Sequence, residues 1–257
     1  MDKFPWGTYN TENIKFLIEA ITGDEYDSDA AAQQSGGAQV GGLPKDFKQL
    51  VQIHLDSSCT DSDYVLELGI GQWAYPFSQV THAVDASEFM VNSLKNKLSC
   101  DMYDDYGVRL SSTRVFHGVV ESLSPDWNDN FSAVLFLNGW FQVRSDYEAF
   151  LEVNRVLKRD GLLILNLYSD DDTDIICGRV LGPKNYIRVA EEFGFALQAW
   201  HRNVGASQGV KNNNLLVFRK IDDARVERLR KLQLVRQSDG NYKANNLDVS
   251  GRDSIYL

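Results

Sequence analysis

The sequence predicts an α/β fold with a mainly parallel sheet covered by helices on both faces. Three observations predict it. From residue 61 onward, short apolar runs alternate with segments of helical periodicity, which is the pattern of strand–helix–strand units. Two of the runs, 131–137 and 162–167, are strongly apolar rather than alternating, each broken by one polar residue, Ser132 and Asn166, as expected of strands buried on both faces. The last two runs, 195–203 and 215–221, flank a polar loop rich in Gly and Asn and predict an antiparallel pair.

A chain of 257 residues can bury one full core with an appendage. Apolar residues make up 43% and charged residues 24%, the balance of an ordinary globular chain. No apolar stretch is long enough to span a membrane, and Met1 to Trp6 lack the pattern of a signal peptide. Cys59, Cys100 and Cys177 are odd in number and far apart, so neither a disulfide framework nor a metal site is indicated. These features together set the expectation of a cytoplasmic protein. The formal charge of −10 works against binding of nucleic acid or other polyanions. The late basic residues Arg225, Arg228, Arg230, Lys231 and Arg236 read as a solvated helix face.

Residues 1–60 read as an N-terminal helical cap or lid. Phe4, Trp6 and Tyr9 surround Pro5 and Gly7 and either pack on the core or close over a ligand. Ile14, Leu17, Ile18 and Ile21 have helical spacing, with Gly23 just past the end. Residues 22–43 are acidic, then rich in Ala and Gly, and are expected to be a flexible loop. Pro44 opens a second helix with Phe47, Leu50, Val51 and His54 on one face.

The core is placed at 61–221. Its strands are expected at 64–68, 80–85, 113–117, 131–137 and 162–167, followed by the antiparallel pair. Ser87 is positioned to cap a helix carrying Val91, Leu94 and Leu98. Ser145 to Glu148 form a capping box ahead of Phe150, Val153 and Leu157, and Gly161 is taken as the stop of that helix. Residues 186–193 read as a helix that Gly194 terminates. Residues 222–257 read as a partly helical, then polar C-terminal tail.

Parallel sheets bind ligands at the carboxyl ends of their strands, near the switch in strand order. Four positions qualify: Glu67 to Gly71, Asp85, the segment after His117, and Asn138. Gly69-Ile70-Gly71-Gln72-Trp73-Ala74 fits the dinucleotide pattern G-x-G-x-x-A. Three features count against that reading. Glu67 stands two residues before the first glycine, Pro76 breaks the helix that would hold a pyrophosphate, and Asp85 follows too closely to leave room for it.

Five segments fit another pattern: Val65-Leu66-Glu67-Leu68-Gly69-Ile70-Gly71, Ala83-Val84-Asp85-Ala86-Ser87, Gly118-Val119-Val120-Glu121-Ser122-Leu123, Phe131-Ser132-Ala133-Val134-Leu135 and Arg155-Val156-Leu157-Lys158-Arg159-Asp160-Gly161. In this order and spacing, residues 61–221 resemble the class I S-adenosylmethionine-dependent methyltransferases. The resemblance implies a Rossmann-like seven-stranded sheet with a terminal antiparallel strand. It implies that Glu67 engages the amino acid part of S-adenosylmethionine and that Gly69 and Gly71 let the backbone pass beside it. Trp73 follows in the same turn, where many relatives have a third glycine. Asp85 would bind the ribose hydroxyls, Ala86 and Met90 would lie near the adenine, and Val119, Val120 and Glu121 would recognise its edge. Asn138 and Gly139 would face the transferred methyl.

The implied chemistry is methyl transfer to a small-molecule oxygen or nitrogen, with alignment as its main requirement. His117, Asn138 and Tyr168 are the candidate catalytic groups. Trp6, Tyr9, Trp140, Phe141 and Tyr168 are candidate walls of an acceptor pocket. His54, His82 and His201 read as structural. The acidic run 169–174 reads as a solvated loop rather than a metal site. The alternatives are an NAD(P)-dependent enzyme and a non-catalytic subunit of the same fold. No oligomeric state is legible.

Overall fold

The structure, a computed structural model, describes residues 2–4, 7–9, 45–70, 77–99, 113–137, 140, 143, 146–167, 175–176, 179–180, 183–202, 204, 214–221, 234–236 and 242–244. The helix expected at 11–21 and the loop at 22–43 lie outside these residues.

A seven-stranded sheet forms the centre. Its strands are β3 (Val65–Leu68), β4 (His82–Asp85), β5 (Arg114–His117), β6 (Phe131–Phe136), β7 (Leu157–Leu167), β10 (Phe195–His201) and β11 (Asn214–Lys220). Their order across the sheet is β5-β4-β3-β6-β7-β11-β10. The pairs β3–β4, β3–β6, β4–β5 and β6–β7 are parallel. β11 is antiparallel to both its neighbours. The antiparallel strand therefore comes last in this sheet by sequence but lies inside it, with β10 as the edge. Three further two-stranded pairs are described: β1 (Asp2–Phe4) with β2 (Gly7–Tyr9), β8 (Ile175–Ile176) with β9 (Arg179–Val180), and β12 (Leu234–Arg236) with β13 (Tyr242–Ala244).

Each parallel strand sends alternate side chains into two separate cores. On one face lie Leu66, Leu68, Val134, Phe136, Leu163, Leu165, Leu216 and Phe218. They pack against Phe150 and Val153 of α3 (Asp146–Val156) and Tyr186 and Val189 of α4 (Pro183–Glu192). On the other face lie Val65, Ala83, Ala133, Leu135, Leu162, Ile164, Leu215 and Val217. They pack against Phe47, Val51 and Leu55 of α1 (Lys45–Ser58) and Leu94 of α2 (Glu88–Ser99). Burying each such side chain contributes about 1.5–3 kcal/mol. α1 falls in the stretch read as a cap, yet its apolar face rests directly on the sheet.

The helix signals hold at two ends. Ser87 caps α2, accepting the Met90 N–H at 3.3 Å. Gly194 follows α4 with φ 77°, and Asn154 Nδ2 donates to the Phe193 carbonyl at 2.9 Å. Gly161 is different: it does not end α3, which stops at Val156 and runs straight into β7. Phe131 lies opposite Leu157 and Ala133 opposite Leu162, so residues 158–161 bulge from the strand. Asp160 turns the bulge with φ 65°. A Cβ on Gly161 would stand 2.9 Å from the Lys158 carbonyl oxygen, which is why glycine is needed there.

Candidate functional site

Strands β3 and β6 are neighbours, and the chain leaves them in opposite directions across the sheet. This switch point is where parallel sheets open a crevice at their carboxyl ends. β3 enters it firmly held at its base. Thr81 Oγ1 accepts the Val65 N–H and donates to the Val65 carbonyl, both at 3.0 Å. The sequence carried no signal for that role of Thr81.

Glu67 lies opposite Ala83 of β4 and Leu135 of β6, and is 5% exposed. A carboxylate buried this deeply at a strand end is uncommon without a partner or ligand. Gly69 then donates its N–H to the Val84 carbonyl at 2.9 Å and takes φ 64°. That left-handed backbone is open to glycine at no steric cost. Ile70 returns to the core on the α1 side.

Asp85 closes β4 beside this turn. Its Oδ1 accepts the Ser87 N–H at 2.8 Å. Its carbonyl accepts the Gly118 N–H at 3.0 Å. A carboxylate has about four lone-pair sites, so the bond to Ser87 is compatible with recognition of a vicinal diol. His117 lies opposite Asp85 in register, and its Nε2 donates to the Ala86 carbonyl at 2.9 Å. The Asp85–Ala86 turn is thus pinned from β5 on one side and from the cap of α2 on the other. After Gly118 the chain passes Val119 and turns through a short 3-10 segment, Val120–Ser122. Val119 and Glu121 are half-buried, whereas Val120 faces the core.

Glu67, Gly69, Asp85, Ala86, Val119 and Glu121 therefore gather at the carboxyl ends of three adjacent strands. Met90 is near them in sequence but buried in the first turn of α2. His117 is exposed and stands beside Asp85. The end of β6 is three strands away from it, roughly 14 Å at ordinary strand spacing.

Trp140 requires a correction. It was expected to wall an acceptor pocket, but it is 0% exposed. Its ring packs with Phe136, Phe150 and Tyr186, and its Nε1 donates to Asp146 Oδ1 at 2.8 Å. Burial of the largest side chain in the chain's main core outweighs a role at the rim. Trp6, Gly71, Trp73, Asn138, Gly139, Phe141 and Tyr168 lie outside the described residues. Tyr9 is described only as the last residue of β2.

The histidines read as structural are all engaged. His82 sits among Tyr64, Phe116, Trp127 and Phe131. Burial, then the charge of Arg114, lowers its pKa. His54 has a partner the sequence did not reveal, His201, with Nε2 to Nε2 at 2.9 Å. Among the described residues, no three His, Cys, Asp or Glu side chains come together as metal ligands. No helix among them is long and apolar enough to cross a membrane.

No family model matches the sequence, and no curated protein matches it. Solved structures match the fold. The glycopeptide N-methyltransferase MtfA, crystallised with S-adenosylmethionine, is 14% identical, with a TM-score of 0.54 over 70% of this chain and 96% of its own. A SAM-dependent methyltransferase of Methanosarcina mazei is 12% identical, with a TM-score of 0.52 over 65% and 97%. The [4+2]-cyclase SpnF is 14% identical, with a TM-score of 0.52 over 68% and 80%. The fold is that of the class I S-adenosylmethionine-dependent methyltransferases, and the cyclase is a reminder that one fold hosts several reactions.

Proposed function

We propose that the chain is an S-adenosylmethionine-dependent methyltransferase acting on a small-molecule oxygen or nitrogen. The observation that carries this reading is the convergence of buried Glu67, left-handed Gly69 and Asp85 at the carboxyl ends of the adjacent strands β3 and β4. The strand order supports it further. A dinucleotide-binding sheet of the usual doubly wound kind has six parallel strands, whereas here antiparallel β11 separates β7 from β10. That arrangement counts against the NAD(P) alternative.

The residues fit the cofactor chemically. Gly69 leaves the backbone bare where a ligand must approach closely. Asp85 offers carboxylate oxygens suited to two hydroxyls, on a turn already fixed by Ser87 and His117. Glu67 suits the cationic amino group of the methionine part. Val119 and Glu121 would contact the adenine. The bound cofactor supplies an activated methyl on sulfur, so the protein's own part is to orient the acceptor and exclude water. Residues 1–44 are proposed as the cover, since β2 lies against β9 and β9 follows the carboxyl end of β7. Among the catalytic candidates, Asn138 and Tyr168 follow the ends of β6 and β7 and are the better placed in sequence. His117 serves the Asp85 turn.

Isothermal titration with S-adenosylhomocysteine and with NAD(P)H tests the reading. Binding of the first and not the second is expected. A folded protein that binds only the dinucleotide would overturn it. Binding without turnover across an acceptor panel would point to the non-catalytic alternative.

A further inference from the structure

The segment after β5 carries little support of its own. Neither of its 3-10 turns, Val120–Ser122 and Pro125–Trp127, has a side-chain cap. Val120 and Leu123 anchor it to the core, which fixes depth but not backbone orientation. Orientation comes from α3. Arg155 Nε donates to Glu152 Oε1 at 2.8 Å and Nη2 to Oε2 at 2.6 Å, a forked pair one helical turn apart. The pair then reaches across to the loop. Glu152 Oε2 accepts the Leu123 N–H at 2.9 Å. Arg155 Nη2 donates to the carbonyls of Leu123 at 3.2 Å and Ser124 at 3.1 Å, and Nη1 donates to Asn128 Oδ1 at 2.8 Å.

Both peptide groups of Leu123 are therefore held by charged side chains, two residues after Glu121. The two side chains are only 18% and 20% exposed, so water competes weakly for these bonds. A pair serving the helix alone would sit on the solvent face and contribute a few tenths of a kcal/mol. This one is turned inward against the loop.

We propose that Glu152 and Arg155 are positioning residues that orient residues 119–121 and thereby set discrimination for adenine. The inference rests on the reading of that segment as the adenine-recognising one. Charge-assisted bonds to peptide groups fix the loop backbone. A site shaped for a donor amine rejects an analogue that presents an acceptor instead.

The test titrates the full chain with S-adenosylhomocysteine and with S-inosylhomocysteine, whose base carries an oxo group in place of the amine. The wild type is expected to prefer the adenine ligand by roughly tenfold or more. Arg155→Ala and Glu152→Ala are expected to bring that ratio to within about twofold, with the conservative Arg155→Lys and Glu152→Gln intermediate. If the alanine variants fail to fold, the conservative pair carries the comparison. A ratio unchanged in every folded variant, even with lower affinity for both ligands, assigns the pair a structural role only and overturns the proposal. A wild type that binds both ligands equally overturns the adenine assignment beneath it. A wild type that binds neither removes the cofactor reading itself.

Discussion

The Nε2 atoms of His54 and His201 meet at 2.9 Å, joining α1 to the end of the edge strand β10. Their ring centroids are 5.2 Å apart, the sum of the N···N gap and one ring radius on each side. The approach is therefore head-on, as in an N–H···N hydrogen bond, and one of the two nitrogens must be unprotonated. Burial, then the neighbouring His201, lowers the pKa of His54 below 6.5.

The pH dependence follows from that direction. Folded His54 takes up its proton at lower pH than unfolded His54, so the unfolded state binds more protons just below 6.5. Stability is full above about 6.5 and falls as pH drops toward the folded pKa. His82, also lowered by burial and Arg114, acts in the same direction. Urea midpoints at pH 7.5 and 5.5 in wild type and His54→Ala separate the two. The variant is expected to be less stable at pH 7.5 and to lose less on acidification. Equal losses would show that His54 does not contribute.

Asp85→Ala is expected to abolish S-adenosylhomocysteine binding, and Glu67→Ala to weaken it roughly tenfold or more. The Asp85 variant also loses the turn bond to Ser87, so Asp85→Asn, which keeps an acceptor oxygen, is the companion control. Calorimetry checks both, and unchanged affinity in the two alanine variants would sink the cofactor assignment.

The two tight glycines should fail for different reasons. Gly69→Ala forces a side chain into a φ of 64°, at about 1–2 kcal/mol, and narrows the ligand approach, so binding falls more than stability. Gly161→Ala pushes a methyl against the Lys158 carbonyl and should cost about 1–3 kcal/mol with cofactor affinity intact. Paired melting and titration curves distinguish them.

Trp140→Phe is expected to lower stability by about 2–4 kcal/mol, because it leaves a void and removes the donor to Asp146. Acceptor selectivity should not change. A shift in acceptor preference at unchanged melting temperature would restore Trp140 to the pocket wall.

How much of this was legible in the sequence varies with the range of the cause. Strands β3, β6 and β7 were readable because each is apolar enough to be buried on both faces. Ser87 and Gly194 were readable because capping is decided within one turn. Glu67 and Asp85 were placed together by the strand-end rule. Trp140 was misjudged because burial depends on Phe136, Phe150 and Tyr186, which the fold brings together from three elements. Gly161 was misjudged because a helix stop and a strand bulge use the same residue. His54 with His201, 147 positions apart, and Glu152–Arg155 with Leu123, about thirty, leave no local trace at all.

The position of β11 sets the order in which the molecule can be completed during synthesis. β10 emerges first, yet its neighbour in the sheet is β11, which also pairs with β7. A nascent chain ending before residue 214 therefore presents the side of β7 that β11 will occupy, together with a β10 that has nowhere to dock. Parallel-sheet segments that wait for a late partner are exposed to aggregation. One seven-residue strand, Asn214–Lys220, closes that window, and its Lys220 then bonds the Leu157 carbonyl at 2.8 Å, tying the sheet's last-made strand to the first residue of β7.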